Sequence, residues 1–287
     1  MTADAVTARS RTLEARGLVK DFRLRSGLRF STLHAVKDVS FTLEAGRTIA
    51  LVGESGSGKS TIAKMLARLE TPTTGQILLD GAPAGRGGRA LAAYRRDVQM
   101  VFQDPFASLN PFHSIAHHLE RPLRIHNPGI GKTEVRRRVL ELLDRVRLTP
   151  SDAMAERRPH ELSGGQRQRV AIARALAPGA QFIIADEPVS MLDVSIRLGV
   201  LNLLAELQRE DHLGVLYITH DLATARHFSD EILVMFGGDI VERGPADRVI
   251  LDPQHDYTRT LLGAAPDPEN QGRLRDEVRR ELAAQGG

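Results

Sequence analysis

The chain has 287 residues, with 39 Lys and Arg against 36 Asp and Glu, a net charge of +3 and 41% hydrophobic side chains. This is room for one α/β domain with an insertion or a tail, and the charge is too balanced for the concentrated basic stripe of a nucleic-acid binder. The lack of cysteine excludes disulfides, thiolate zinc sites and iron–sulfur clusters, and no run reaches the roughly 18–20 apolar residues that a membrane-spanning helix needs.

The N-terminal MTADAVTARSRTLEARG is polar and holds no signal-peptide core, so the chain is expected to stay in the cytoplasm. Thr48-Ile49-Ala50-Leu51-Val52 reads as a buried strand, and Ile62, Met65, Leu66 and Leu69 behind it recur at helical spacing. Between them stands Gly53-Glu54-Ser55-Gly56-Ser57-Gly58-Lys59-Ser60-Thr61, a full G-x-x-x-x-G-K-S match in a strand-to-helix context. Glycines let backbone N–H groups close around phosphate oxygens, and the helix N-terminus adds unpaired donors and partial positive charge. Lys59 is expected to reach the β- and γ-phosphates of a nucleotide, and the Ser60 hydroxyl to ligate Mg²⁺.

Pro83–Arg89 is rich in Gly and Arg and reads as a surface loop. Residues from about 104 to 160 lack strand runs and carry an amphipathic helix on Val135, Val139, Leu142, Leu143 and Val146. They suggest a helical subdomain inserted in the α/β body. Arg136-Arg137-Arg138 on that helix is the best basic patch, read as a solvated face rather than a nucleic-acid contact. Ser163-Gly164-Gly165-Gln166 places a serine and two glycines at a helix start, a second set of converging donors for phosphate, with a helix running from Val170.

Phe182–Ala185 reads as a second buried strand, ending in Asp186-Glu187. Phosphoryl transfer to water needs a metal-holding carboxylate and a group that orients the nucleophile. Asp186 is assigned to Mg²⁺ through a water, and Glu187 to the general base. Ile196, Val200, Leu203, Leu204 and Leu207 then mark one face of a helix, Val215–Ile218 and Ile232–Met235 two further buried strands, and a polar tail opens near residue 264 and ends in a short helix. Strands alternating with helices and no internal repeat indicate an α/β fold with a mainly parallel sheet.

Leu162-Ser163-Gly164-Gly165-Gln166 resembles the signature motif of the ABC ATPases, and other marks of that family stand in order. Gln103 looks like the Q-loop glutamine that senses Mg²⁺ and the attacking water. His220 looks like the switch histidine that contacts the γ-phosphate and holds Glu187. Ser190-Met191-Leu192-Asp193 resembles the D-loop, with Asp193 at the dimer interface; Met191 departs from the family's usual alanine or glycine. Phe22 stands where the family stacks an aromatic ring on adenine, a core phenylalanine being the rival reading.

The resemblance covers about residues 12–262 and implies a P-loop NTPase fold of the ABC ATPase type: a mainly parallel core sheet, an antiparallel β part and a helical insertion, with 263–287 as a tail. It implies ATP and Mg²⁺ as ligands. It also implies a head-to-tail dimer in which the signature of one subunit closes on ATP held by the phosphate loop of the other.

Gln103–Pro111, Ser163–Arg169, Ala185–Ser190 and His255–Leu262 together look like the dipeptide and oligopeptide importer ATPases, a group that includes nickel, glutathione and some oligosaccharide systems. The partners implied are a second ATPase subunit, identical or not, two transmembrane permease subunits and an external substrate-binding protein, with the chain peripheral at the cytoplasmic face of the membrane. The chain lacks the cysteine-containing tail of many peptide-group members. Exporter ATPases and soluble ATPases acting on nucleic acid or ribosomes are the rival classes. The latter insert a long coiled coil or carry two cassettes, whereas only about 100 residues separate Lys59 from Ser163 here, and no nucleic acid is expected.

Overall fold

The computed structural model describes residues 11–26, 29–85 and 87–264, so the helix expected in the polar tail lies outside the described residues. Strands β1 (Thr12–Ser26), β2 (Arg29–Glu44), β3 (Thr48–Val52), β4 (Thr74–Leu79), β5 (Ala82–Pro83), β6 (Val98–Val101), β7 (Phe182–Asp186), β8 (Gly214–Thr219), β9 (Glu231–Phe236) and β10 (Asp239–Pro245) form two sheets. The six-stranded sheet has the order β10-β9-β3-β8-β7-β6 and is parallel except for β10 at its edge. The four-stranded sheet is antiparallel, in the order β2-β1-β4-β5.

The helices are α1 (Lys59–Leu66), α2 (Gly88–Asp97), α3 (Pro105–Ser108), α4 (Ile115–His126), α5 (Lys132–Arg145), α6 (Ser151–Glu156), α7 (Gly164–Leu176), α8 (Val194–Glu210), α9 (Leu222–Phe228), α10 (Ala246–Leu251) and α11 (Asp256–Ala264). No strand interrupts the chain between β6 and β7, where α3 to α7 follow one another.

The parallel strands are apolar at successive positions because the sheet is covered on both faces. Side chains alternate between the faces, so each strand feeds two separate cores. Leu51, Ile184, Ile218 and Leu233 pack with α1 and the antiparallel sheet, against Ile62, Leu66 and Val39. Val52, Ile183, Tyr217 and Val234 face the helices, in one cluster with Val139, Leu143 and Leu203. Full burial of one such side chain is worth about 2 kcal/mol, whereas an exposed ion pair along a helix is worth about 0.3–0.5 kcal/mol. Packing therefore dominates the docking of α5.

The arginines of α5 are spent on its own neighbourhood. Arg137 and Arg138 bond Glu134 at 2.6 and 2.7 Å, and Arg136 pairs with Glu156 at 2.8 Å. The bonds from Arg137 and Arg138 bring the Glu134 carboxyl down to about 2.

Three details differ from the sequence reading. The signature helix α7 begins at Gly164, not Val170, because Ser163 caps it. Leu69 lies beyond the end of α1 and is exposed, since α1 stops at Leu66. Pro83 pairs with Leu78 in β5 and Gly88-Arg89 open α2, so only the middle of the Gly/Arg-rich stretch is a connection, with Arg86 outside the described residues.

Candidate active site

Parallel strands bring their C-terminal ends to one edge of the sheet, where α/β folds place ligands. Val52 of β3 lies opposite Thr219 of β8, and Asp186 of β7 opposite Ile218. Residues 53–61, Glu187 and His220 follow those strand ends, so neighbours in the sheet become neighbours in one cleft. The cleft, of about 1100 Å³, is lined by Phe22, Lys59, Ser60, Gln103, Glu187 and His220, and also by Ser55, Gly56, Gly58 and Thr61.

The loop into α1 is shaped by glycine. Gly58 has φ +108°, and a Cβ there would stand 2.3 Å from the Ala35 carbonyl oxygen. Lys59 is buried, and its ammonium donates to the carbonyl oxygens of Gly53 (2.8 Å) and Glu54 (2.7 Å) and more weakly to Ser57 Oγ (3.4 Å). Burial pushes the Lys59 pKa down, against the upward pull of Glu187, Asp186 and Glu54. Every acceptor that holds this cation belongs to the loop itself, and an ammonium with three donors can exchange one of these bonds for a stronger charge-assisted bond to an anion.

Ser60 Oγ donates to Asp186 Oδ1 at 3.1 Å. Burial raises the Asp186 pKa, the Ser60 bond lowers it, and Glu187 raises it again. Glu187 accepts from Gln103 Nε2 at 3.0 Å and lies 3.4 Å from His220 Nδ1. Its backbone has φ +45°, an uncommon region for a residue with a Cβ. The peptide is held there by the Glu187 N–H bond to the Ile218 carbonyl, at 2.9 Å.

Ser60 and Asp186 offer oxygen donors, a hydroxyl and a carboxylate, and Gln103, with an amide oxygen of its own, lines the same cleft. Hard oxygen ligands in small number suit Mg²⁺, which keeps waters and takes its remaining ligands from phosphate. No group of three or more His, Asp or Glu that could hold a metal ion occurs among the described residues.

Phe22 belongs to neither core cluster. It is half-buried, lines the cleft and carries Lys20 Nζ 4.9 Å from its ring centroid. Ser163, Gly165 and Gln166 line a different cavity, of about 280 Å³, with Met154, Arg169 and Ile196. Ser163 Oγ accepts from Gln166 N at 3.3 Å while Gln166 Oε1 accepts from Ser163 N at 2.9 Å, a closed capping box. Gly164 rests on Leu192, and Asp193 stands exposed at the start of α8 without a side-chain cap. Met191 beside it is 54% exposed. Within one chain the two predicted phosphate sites are thus not joined.

Sequence reasoning missed the wall that β2 supplies, with Leu33, His34, Ala35 and Lys37, and the Gly237-Gly238 turn after β9. The alternation of Val39, Phe41 and Leu43 was the available signal for β2. Nothing local ties these residues to a cleft.

A family model described as ABC transporter matches residues 36–190. The glutathione import ATP-binding protein GsiA of Salmonella paratyphi A is 48% identical over 272 residues, covering 92% of this chain and 42% of that protein. GsiA of Escherichia coli K12 is 49% identical over 258 residues, covering 88% and 41%. The chain therefore spans about two fifths of the length of these relatives. A dimeric structure of the ATP-binding cassette MJ0796 in a post-hydrolysis state, bound to ADP and Pi, superposes with a TM-score of 0.71 at 31% identity, over 82% of this chain and 98% of that one. The cbiO1 protein of Clostridium perfringens, part of the ABC transporter complex cbiONQ, gives 0.74 at 25% identity, over 93% and 99%.

Proposed function

The chain belongs to the ABC transporter family and carries that family's ATPase domain, and from this premise we propose that it hydrolyses ATP to energise import of a short peptide-like solute through separate permease subunits. The observation that carries the reading is the cleft at the strand ends, where Lys59, Ser60, Asp186, Glu187, Gln103 and His220 meet.

In this reading Phe22 stacks on adenine, and the backbone of Gly53–Thr61 wraps the phosphates with the α1 N-terminus behind it. Lys59 keeps its bond to the Gly53 carbonyl and turns from the Glu54 carbonyl to the β- and γ-phosphate oxygens. Ser60 and Gln103, with Asp186 through a water, would hold Mg²⁺, whose charge would offset that of the phosphates. Glu187 takes a proton from the attacking water as its oxygen adds to the γ-phosphorus, and ADP leaves with the electron pair of the broken P–O bond. Gln103 and His220 hold the Glu187 carboxylate in line, each from its own side.

Ser163, Gly164, Gly165 and Gln166 act on the ATP of an opposing ATPase domain, with Asp193 crossing the same interface. That the signature lines its own cavity, apart from the phosphate loop, supports a composite site. ATP prefers the closed pair, and that differential affinity is what drives the permease. The domain of residues 12–262, with its helical insertion at about 104–160, sits at the cytoplasmic membrane face through the permease; no helix among the described residues is long and apolar enough to cross a membrane. Short peptides, glutathione first, are the substrate class suggested by the relatives' names.

Glu187→Gln tests the chemistry. Turnover is expected to fall by at least about 100-fold while ATP binding persists and sedimentation shows an ATP-held dimer. Parent-like hydrolysis in this variant would remove Glu187 from its role. Transport is tested by co-purification with membrane partners and calorimetry of the associated binding protein against glutathione, dipeptides and Ni²⁺.

A further inference from the structure

The stretch His255–Leu262 has no part in the chemistry above, yet the structure carries it to the phosphate loop. Glu242 of β10 accepts backbone N–H bonds from Gln254 (2.8 Å) and His255 (3.0 Å), which fixes the entry to α11. In the first turn of that helix the Tyr257 ring packs on Phe236 at the end of β9, with centroids 4.3 Å apart. The Tyr257 hydroxyl accepts a hydrogen bond from the backbone N–H of Glu54, at 2.9 Å.

That N–H shares a peptide unit with the Gly53 carbonyl, which accepts from Lys59 Nζ at 2.8 Å. A trans peptide points its N–H and C=O in opposite directions. Holding the N–H outward on Tyr257 therefore turns the carbonyl inward onto the lysine. The loop has little freedom to compensate on its other side. A Cβ on Gly53 would stand 2.2 Å from the Met235 carbonyl oxygen, so the loop lies directly on the strand end whose next residue, Phe236, seats the Tyr257 ring.

We propose that Tyr257 is a positioning residue of the nucleotide site, its hydroxyl holding the Gly53–Glu54 peptide in the orientation that seats Lys59 for phosphate. Helix α11 is thereby mechanically tied to the phosphate loop, and a shift of α11 is transmitted to Lys59. This rests on the nucleotide reading of the cleft and extends it to a residue outside the nucleotide-binding motifs.

Tyr257→Phe keeps the ring and its packing and removes only the hydroxyl. Purified parent and variant chains are titrated with a fluorescent ATP analogue in Mg²⁺, and melting temperature and hydrolysis kinetics are measured alongside. One hydrogen bond corresponds to about a 3- to 10-fold weaker affinity. KM should rise by the same factor while kcat changes less than about 2-fold and melting stays within about 2 °C. Phe236→Leu, which keeps the hydroxyl but loosens its seat, should give a smaller loss in the same direction. Thr260→Ala, on the exposed side of α11, should leave affinity unchanged. Parent affinity and KM in Tyr257→Phe would overturn the proposal, as would an affinity loss matched by a comparable fall in melting temperature. Failure of the parent chain to bind the analogue would instead strike the nucleotide reading itself.

Discussion

Lys59, Glu187 and Gln168 are placed in ways that packing alone does not explain. Lys59 buries a cation, Glu187 adopts a left-handed backbone, and Gln168 on α7 buries both side-chain amide atoms with no hydrogen-bond partner among the described residues. The first two converge on the cleft, in keeping with the concentration of strain and buried charge at functional sites. Gln168 is one helical turn beyond Gly164 and Gly165, which lie against Leu192 and Ile196, so it occupies the same side of α7, toward the D-loop and α8. A buried amide without partners costs more than an apolar side chain of similar volume. Gln168→Leu is expected to raise unfolding free energy by about 1 kcal/mol in urea titrations. A loss of stability would mean that the amide has a partner in solution.

At the scale of elements, α7 shows how one residue serves two purposes. Ser163 closes a capping box with Gln166 and, in the proposed function, presents its hydroxyl to a neighbour's nucleotide. The two roles separate by substitution. Ser163→Ala removes the cap, at a cost of about 1 kcal/mol, and should also abolish most ATP hydrolysis. Ser163→Asn retains a capping side chain, so chemical denaturation should show stability recovered within a few tenths of a kcal/mol while hydrolysis stays low. Recovery of both would make the serine a cap and nothing more. The long β1–β2 hairpin illustrates the opposite case. Its buried positions alternate, as in Leu13 and Ala15 or Val39, Phe41 and Leu43, but register shifts between Ala15 and Asp21 break the pattern. A bulge moves side chains to the other face, so period-2 reading fails there.

At the scale of the whole molecule, the phosphate loop and the signature helix open into separate cavities of one chain. In the proposed function a second ATPase domain completes each site. Mixing a Lys59→Ala chain with a Ser163→Ala chain makes a sharp test if the chain pairs with itself. A mixed dimer holds one intact site, the phosphate loop of the second facing the serine of the first. Neither variant alone should hydrolyse ATP appreciably, and the mixture should recover activity that grows with the fraction of mixed dimers. No recovery, with dimers present by sedimentation, would refute a shared site in a self-paired dimer.

The glycine-rich motif proposed to bind phosphate and the strands beside it were legible because both are local. A glycine-rich turn with Lys59 needs only its own strand and helix, and buried parallel strands such as Phe182–Asp186 and Gly214–Thr219 announce themselves as unbroken apolar runs. Asp186 and Glu187 could be named for the same reason, since they close such a run, whereas Gln103 and His220 were named through the resemblance to family motifs. Strand order was not local. Only the tertiary structure set β3 beside β8 and β8 beside β7, so that these groups meet, while it sent Ser163 to another cavity. Tyr257 and Glu54 lie 203 residues apart, and no periodicity spans that distance. Side-chain chemistry is written residue by residue, but which groups share a cleft depends on the free energy of packing the whole chain.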